Sequence, residues 1–277
     1  MTFRDKLLDT SSRNHSLLCI GLDPQPGRMP VQDVAEFCRA IIEATSDLVC
    51  VYKPQIAFFE ALGLDGWRAL KATIEAVPDG IPVLLDAKRG DIASTAEAYA
   101  TACFDVLGAD AVTVNAYLGS DAVEPFLRRP ERSAFVLCRT SNASAPEVQD
   151  LATPDETGGS EPVYMRVATL ANTWNSAHGN VGLVVGATYP AELAQVRERC
   201  PELPILLPGI GAQGGDLEGS VAVGLDADGG GLMLSASRAV LYASSGADYA
   251  EAARAAALDL RDAINAARTE GSTAQDG

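Results

Sequence analysis

The sequence predicts an α/β protein, a (β/α)₈ TIM barrel that folds as a single domain. Three observations predict this fold. Short apolar runs recur eight times along the 277 residues, each run is nearly continuous, and most are followed by a segment of helical periodicity. Continuous apolar runs are typical of parallel strands that are covered on both faces. Eight strand-then-helix units in about 250 residues fit a closed barrel better than a doubly wound sheet, which more often has roughly five to seven strands.

The predicted elements follow from these runs in chain order. The strands are expected at residues 17–22, 48–52, 82–85, 111–114, 134–138, 181–185, 204–207 and 231–234. Helical periodicity predicts helices at 31–45, 66–76, 93–107, 163–177, 191–200 and 249–267. We therefore expect the barrel domain to span residues 1–267, and the polar tail at 268–277 is predicted to be disordered.

One interval between predicted strands, residues 139–180, is longer than the others. It contains the polar, proline-rich stretch 141–162. Long polar loops at the rim of a barrel are commonly functional, so we expect an active-site excursion or lid in this stretch.

The charge balance limits the partners of the protein. Lysine and arginine total 21 against 37 aspartate and glutamate residues, which gives a formal net charge of −16. A field of that sign repels polyanions, so the sequence argues against a nucleic-acid partner. An anionic ligand would have to be small and held by a local cluster of Arg, Lys and backbone N–H groups.

The cysteines and the amino terminus indicate the compartment. The six cysteines never fall closer than 12 residues apart and only two histidines accompany them, so we expect no zinc site and no redox pair. The amino terminus is charged from Arg4 and lacks an apolar stretch of signal-peptide length, and no run of about 18 apolar residues occurs in the chain. These features predict a cytoplasmic protein without a membrane segment.

Polar residues collect where the predicted strands end. For strands one to six these residues are Asp23, Lys53, the stretch 86–91, Asn115, the stretch 140–142 and Thr188, and for strand eight they are the stretch 235–238. In a (β/α)₈ barrel the carboxyl ends of all strands meet at one rim, and the active site lies there. We therefore expect the chemistry of this protein at that rim.

The third strand end holds the densest group of charges. Asp86 and Lys88 are two residues apart on a strand, so their side chains face the same way and can meet Lys53 from the neighbouring strand. Asp91 could supply a second carboxylate. Nearby carboxylates would keep Lys88 charged despite burial, because they offset the desolvation that lowers its pKa. Two structural interpretations compete: a salt-bridge network at the rim, and Asp91 as a helix N-cap.

The seventh and eighth strand ends predict a phosphate site. Residues 209–214 match GxGxxG, but only 63 residues follow and the next strand ends in Ser-Arg, so a dinucleotide fold is rejected. Residues 209–231 contain nine of the 25 glycines, which let backbone N–H groups approach an anion closely. Ser237 and Arg238 follow, at the usual phosphate position of such barrels.

Taken together, these motifs resemble the orotidine 5′-phosphate decarboxylase family, in its bacterial branch with longer chains. The resemblance extends from about residue 17 to 245. The motifs that carry it are Leu22-Asp23-Pro24, Tyr52-Lys53-Pro54-Gln55, Asp86-x-Lys88-x-x-Asp91-Ile92, Thr140-Ser141-Asn142, Pro208 to Asp216 and Ser237-Arg238. Ala143 departs from the proline that usually follows the asparagine, which concerns the conformation of the lid and not the chemistry.

The resemblance implies a homodimer that converts orotidine 5′-monophosphate to UMP and CO₂ in pyrimidine synthesis, without a metal or an organic cofactor. It implies a charged tetrad of Lys53, Asp86, Lys88 and Asp91, in which Asp91 is contributed across the subunit interface. The implied substrate-binding residues are Asp23 and Lys53 at the ribose, Thr95 contributed across the interface, Ser141 at the pyrimidine, and Gln213, Ser237 and Arg238 at the phosphate. Lys88 would stabilise the carbanion at C6 and then protonate it.

Two other functions stay open at this point. One is a magnesium-dependent sugar-phosphate decarboxylase or epimerase on the same scaffold, which EDTA would inhibit. The other is a non-catalytic nucleotide-binding barrel, which would bind UMP and leave orotidine 5′-monophosphate intact. The complete Asp-Lys-Asp set favours a catalyst.

Overall fold

The computed structural model describes residues 1–155, 158–210 and 216–275, with residues 270–275 described by their backbone alone. The strands in these ranges are β1 (Leu18–Leu22), β2 (Val51–Pro54), β3 (Leu84–Arg89), β4 (Ala111–Val114), β5 (Ser133–Arg139), β6 (Ala152–Pro154), β7 (Ser160–Pro162), β8 (Val181–Val185), β9 (Ile205–Pro208) and β10 (Leu232–Ala236). Each predicted strand overlaps one of them.

Eight of these strands form a parallel barrel. Their hydrogen-bonded order is β2-β1-β10-β9-β8-β5-β4-β3, and the isolated bridges Tyr52↔Val83 and Gln55↔Asp86 join β2 to β3 and complete the ring. The two remaining strands, β6 and β7, form a short antiparallel hairpin inside the predicted lid. The predicted (β/α)₈ barrel is therefore confirmed.

Helices surround the barrel. They are α1 (Phe3–Arg13), α2 (Val34–Thr45), α3 (Ile56–Glu60), α4 (Gly63–Glu75), α5 (Ala93–Thr101), α6 (Ser120–Leu127), α7 (Pro146–Gln149), α8 (Val163–His178), α9 (Pro190–Arg199), α10 (Leu217–Gly224), α11 (Arg238–Leu241) and α12 (Tyr249–Gln275). A π-helical turn at Ala102–Val106 continues α5, and short 3₁₀ turns lie at Pro26–Arg28 and Ala116–Leu118. Helix α12 runs past the predicted end of the domain at residue 267, so helical backbone enters the segment that we predicted to be disordered.

Helix α1 closes the end of the barrel opposite the rim. Its Phe3 and Leu7 are buried with the side chains that fill the barrel, and the Phe3 ring meets the Phe135 ring edge-on at 5.4 Å between centroids. Gly182 leaves room for Phe135, because a Cβ at that position would lie 2.3 Å from the ring. Apolar side chains of α1 and of the strands thus pack together inside the end of the barrel opposite the rim.

All six cysteines are buried and carry free thiols. In the ranges that the structure covers, no helix is both long and apolar enough to cross a membrane.

Candidate active site

Three neighbouring strands bring four charged side chains together at the rim. The Lys53 ammonium nitrogen lies 3.4 Å from Asp86 Oδ2 and 3.9 Å from Asp23 Oδ1. The Lys88 ammonium nitrogen lies 2.6 Å from Asp86 Oδ1. Asp23, Lys53, Asp86 and Lys88 therefore form a continuous chain of alternating charge, in which Lys53, Asp86 and Lys88 meet as the strand ends predicted and Asp23 supplies the second carboxylate.

Asp86 is at the centre of this chain, and two neutral groups fix its orientation. The Gln55 amide nitrogen donates a hydrogen bond to Asp86 Oδ2 at 2.8 Å, and the Thr113 hydroxyl donates one to Asp86 Oδ1 at 2.8 Å. Sequence reasoning assigned no role to Gln55 or Thr113. A polar threonine inside the otherwise apolar strand Ala111–Val114 was the available signal for the second.

The backbone around Lys88 departs from the regular strand that the sequence predicted. Lys88 has a φ of +46°, and the pairing of β3 with β4 shifts register between Leu85 and Arg89. The Thr113 oxygen accepts the N–H groups of Ala87 at 3.0 Å and Lys88 at 2.9 Å, which holds this irregular turn. A left-handed backbone costs a residue with a Cβ roughly 1–2 kcal/mol, so the surrounding bonds must offset that strain.

Charge pairing keeps the two buried members of the chain ionised. Burial alone would raise the pKa of Asp86, but Lys53 and Lys88 lower it to about 2. Burial alone would lower the pKa of Lys53, but Asp23 and Asp86 hold it above its usual value. Lys88 is more accessible to solvent than Asp86 and Lys53, because 47% of its side chain is exposed. Its ammonium group pairs with Asp86, and Asp86 lines the cavity at the rim.

The low pKa of Asp86 predicts a specific loss of stability in acid. A carboxyl with a depressed folded-state pKa stabilises the fold above its unfolded pKa, and that contribution disappears as pH falls through the folded value. For Asp86 the window runs from roughly pH 4 to pH 2 and the loss is about 2 kcal/mol. Urea denaturation at both ends of this window should show that the free energy of unfolding falls less for Asp86→Asn than for the wild type. Equal losses in the two proteins would contradict the assignment, and Asp65→Asn at an exposed position is the control.

A cavity beside the charged chain carries the features of an anion site. On one side it is lined by Asp23, Lys53 and Asp86, and on the other by Gly209, Ser237 and Arg238. Gly209 has a φ of +107°, which only glycine adopts readily. Arg238 is exposed at the first turn of α11. The predicted phosphate ligand Gln213 lies outside the described residues.

Asp91 and Thr95 are not brought to the charged chain within the same subunit. Asp91 Oδ1 accepts the N–H of Ile92 at 2.8 Å, and the N-cap of α5 is Ile92, so the alternative interpretation of Asp91 as a helix cap does not hold. Among the described residues no ion pair joins Asp91 to Lys53 or Lys88. Asp91 is partly buried and Thr95 is exposed, on the loop after β3 and the first turn of α5.

A buried arginine, which the sequence analysis did not identify, holds the loop after β5 through hydrogen bonds. Arg139 is 1% exposed, and its guanidinium donates to the Thr140 carbonyl at 2.8 Å and to Asp150 Oδ2 at 3.2 Å. It also lies 4.4 Å from the centroid of the Tyr189 ring. Gln149 completes the arrangement by accepting the Thr140 N–H at 2.8 Å and donating to the Thr140 hydroxyl at 2.7 Å. The start of the predicted lid is therefore fixed to the barrel.

Ser141, the predicted pyrimidine contact, packs directly on Gly186. A Cβ at Gly186 would lie 2.8 Å from Ser141 Cβ and 2.9 Å from its backbone nitrogen. We expect Gly186→Ala to displace the loop and to lower the free energy of unfolding by about 1–3 kcal/mol, measured by urea denaturation. Gly27→Ala is the matched control, because a Cβ there meets no atom within 4 Å. Equal stability of the two variants would contradict the expectation.

The fold and the site define a class of protein: a (β/α)₈-barrel enzyme that binds a small phosphorylated compound beside a lysine–aspartate chain. Residues 16–256 match the family described as Orotidine 5'-phosphate decarboxylase / HUMPS family. The chain belongs to this family, which confirms the resemblance seen in the sequence.

Individual relatives agree with this membership over nearly the whole chain. An orotidine 5'-phosphate decarboxylase of Roseiflexus sp. (strain RS-1) is 56% identical over 274 residues, covering 96% of this chain and 98% of the relative. One of Thermomicrobium roseum is 54% identical over 276 residues, covering 98% and 97%. The structure of Leishmania donovani OMP decarboxylase is similar with a TM-score of 0.86 and 46% identity, covering 97% of this chain and 99% of that one.

Proposed function

We propose that the protein catalyses the decarboxylation of orotidine 5′-monophosphate to UMP and CO₂ in pyrimidine biosynthesis, without a metal or an organic cofactor. The observation that carries the proposal is the chain Asp23-Lys53-Asp86-Lys88 at the rim, which ends in the half-exposed side chain of Lys88. The family name covers a second activity, but the relatives at 50–56% identity are all named for the decarboxylase.

Lys88 is the group that this reaction requires. When the bond from C6 to the carboxylate breaks, its electron pair stays on C6 in the plane of the ring, where the carbonyl groups cannot delocalise it. A fixed cation beside C6 stabilises that charge. Lys88 then transfers a proton to C6 and regains one from solvent. Asp86 holds the Lys88 ammonium in place from the side away from solvent.

The rest of the cavity suits the rest of the nucleotide. Asp23 Oδ1 is buried and accepts no hydrogen bond within the described part of the chain, so a ribose hydroxyl would satisfy it. Lys53 lies beside it. Arg238, with Ser237 and Gln213, takes the phosphate, because charged and backbone donors at the seventh and eighth strand ends suit an anion. Ser141 takes the pyrimidine.

We also propose that the active site is completed by a second subunit. Asp91 and Thr95 then enter the partner's site, which explains why neither reaches the charged chain of its own subunit. Apolar side chains near them are exposed: Ile92 is 54% exposed, Tyr117 85% and Leu118 47%. Mixing Lys88→Ala with Asp91→Ala protein tests this, since each heterodimer contains one intact site and about a quarter of wild-type activity should return. No recovery after subunit exchange would contradict a shared site.

Incubation of the purified protein with orotidine 5′-monophosphate and EDTA tests the function. We expect loss of substrate absorbance at the same rate with and without EDTA. Inhibition by EDTA would favour a metal-dependent enzyme, and binding of UMP without turnover would favour a nucleotide-binding barrel. A cytoplasmic location suits an enzyme of pyrimidine biosynthesis, and cell fractionation tests it.

A further inference from the structure

Tyr242 connects two parts of the rim that come from opposite ends of the sequence. It caps the carboxyl end of α11, whose first residue is Arg238, and its hydroxyl reaches the loop that follows β1. There the hydroxyl donates a hydrogen bond to the carbonyl oxygen of Asp23 at 2.9 Å and accepts the N–H of Gln25 at 2.7 Å. One phenol therefore bridges the backbone on both sides of Pro24.

The tyrosine ring is itself held by neighbouring elements. It stacks on the buried Phe37 of α2, with ring centroids 6.0 Å apart and an interplanar angle of 14°. The Arg28 guanidinium carbon, from the 3₁₀ turn of the same loop, lies 4.0 Å from the centroid of the Tyr242 ring. The position of the ring, and with it the hydroxyl, is thus set by stacking on α2 and by the Arg28 side chain.

The Asp23 side chain has little support of its own. Its Oδ1 atom is buried without a hydrogen-bond donor in the described part of the chain, and the Lys53 ammonium lies 3.9 Å away, beyond hydrogen-bond distance. The direction of the carboxylate therefore depends on the backbone of residue 23. That backbone is the part that Tyr242 holds.

We infer that Tyr242 is a positioning residue, whose hydroxyl fixes the loop at 23–25 so that the Asp23 carboxylate meets the substrate. The inference rests on the proposed function, in which Asp23 binds the ribose. Since Tyr242 and Arg238 belong to the same helical turn, the ribose contact and the phosphate contact are held in register by one short element.

A double-mutant cycle tests this role. We expect Tyr242→Phe, which keeps the stacked ring, to lower kcat/KM for orotidine 5′-monophosphate about tenfold, because two backbone groups lose their partner. In an Asp23→Ala background the same change should lower kcat/KM by less than about twofold, because no carboxylate remains to be positioned. Tyr249→Phe is the matched control, since Tyr249 also stacks on Phe37 and should be unaffected.

The outcomes separate the inference from the function on which it rests. The wild-type rate tests the decarboxylase assignment, and the ratio between the single and double variants tests Tyr242. An equal loss in both backgrounds, or no loss in either, would overturn the positioning role. Hydrogen exchange at the Gln25 amide supplies a second readout that is independent of turnover: it should accelerate in Tyr242→Phe, and unchanged protection would also overturn the inference.

Discussion

We expect Lys88→Ala to lower kcat/KM for orotidine 5′-monophosphate by at least about 10⁴-fold while the protein remains folded. The substitution removes both the cation beside C6 and the proton donor. Electrostatic stabilisation by one such group is worth roughly 10²–10³-fold in enzymes, and general acid catalysis roughly 10²–10⁴-fold. The fold should survive because the Lys88 side chain is half exposed, and Asp86 keeps Lys53, Gln55 and Thr113 as partners.

The measurement is the rate of substrate absorbance loss, with thermal unfolding and UMP binding recorded on the same preparation. Lys71→Ala is the matched control, because it removes a lysine that pairs with a carboxylate at 3.2 Å on the exposed face of α4. Decarboxylation by Lys88→Ala within about tenfold of the wild-type rate would remove Lys88 from its proposed role.

Loss of the phosphate contact is the second large effect. Decarboxylation of this type needs transition-state stabilisation on the order of 20 kcal/mol, far more than one lysine supplies. Binding energy from the phosphate must therefore be used to organise the reacting groups. We expect Arg238→Ala to lower kcat/KM for orotidine 5′-monophosphate by about 10²-fold or more, with a fall in kcat as well as a rise in KM.

Orotidine, which lacks the phosphate, is the control substrate for this variant. The wild type should process orotidine far more slowly than its phosphate, and Arg238→Ala should not slow orotidine further. Equal kcat/KM values of the wild type for the two substrates would show that the phosphate site does not assist the chemistry. An equal effect of the substitution on both substrates would mean that Arg238 acts on the fold instead.

The strand ends explain why much of the site could be predicted. In a parallel barrel the apolar run stops where the side chains reach the rim, so the next polar residue marks the active-site end of each strand. Asp23, Lys53, Asp86 and Lys88 were found in this way, and the structure brings them together. The rule needs only the local pattern of one strand at a time.

The missed features depend on contacts between distant segments. Thr113 looks like an ordinary strand residue until the pairing of β3 and β4 places it beside Asp86. The left-handed backbone at Lys88 follows from that pairing and not from a sequence signal. Arg139 is a lone arginine at a strand end, and its role appears only when the loop folds back on it. Helix α6 was missed for a local reason, because it is short and contains Pro125.

The charged chain also contributes to the contact between strands β2 and β3. Backbone pairing there consists of the isolated bridges Tyr52↔Val83 and Gln55↔Asp86, whereas β1 and β2, for example, share a continuous ladder. The contacts of Lys53 and Gln55 with Asp86 cross this same seam. These side-chain contacts therefore join β2 to β3 in addition to the two backbone bridges. A substitution that removes the Asp86 carboxylate would thus take away contacts between two barrel strands as well as a charged group of the candidate active site.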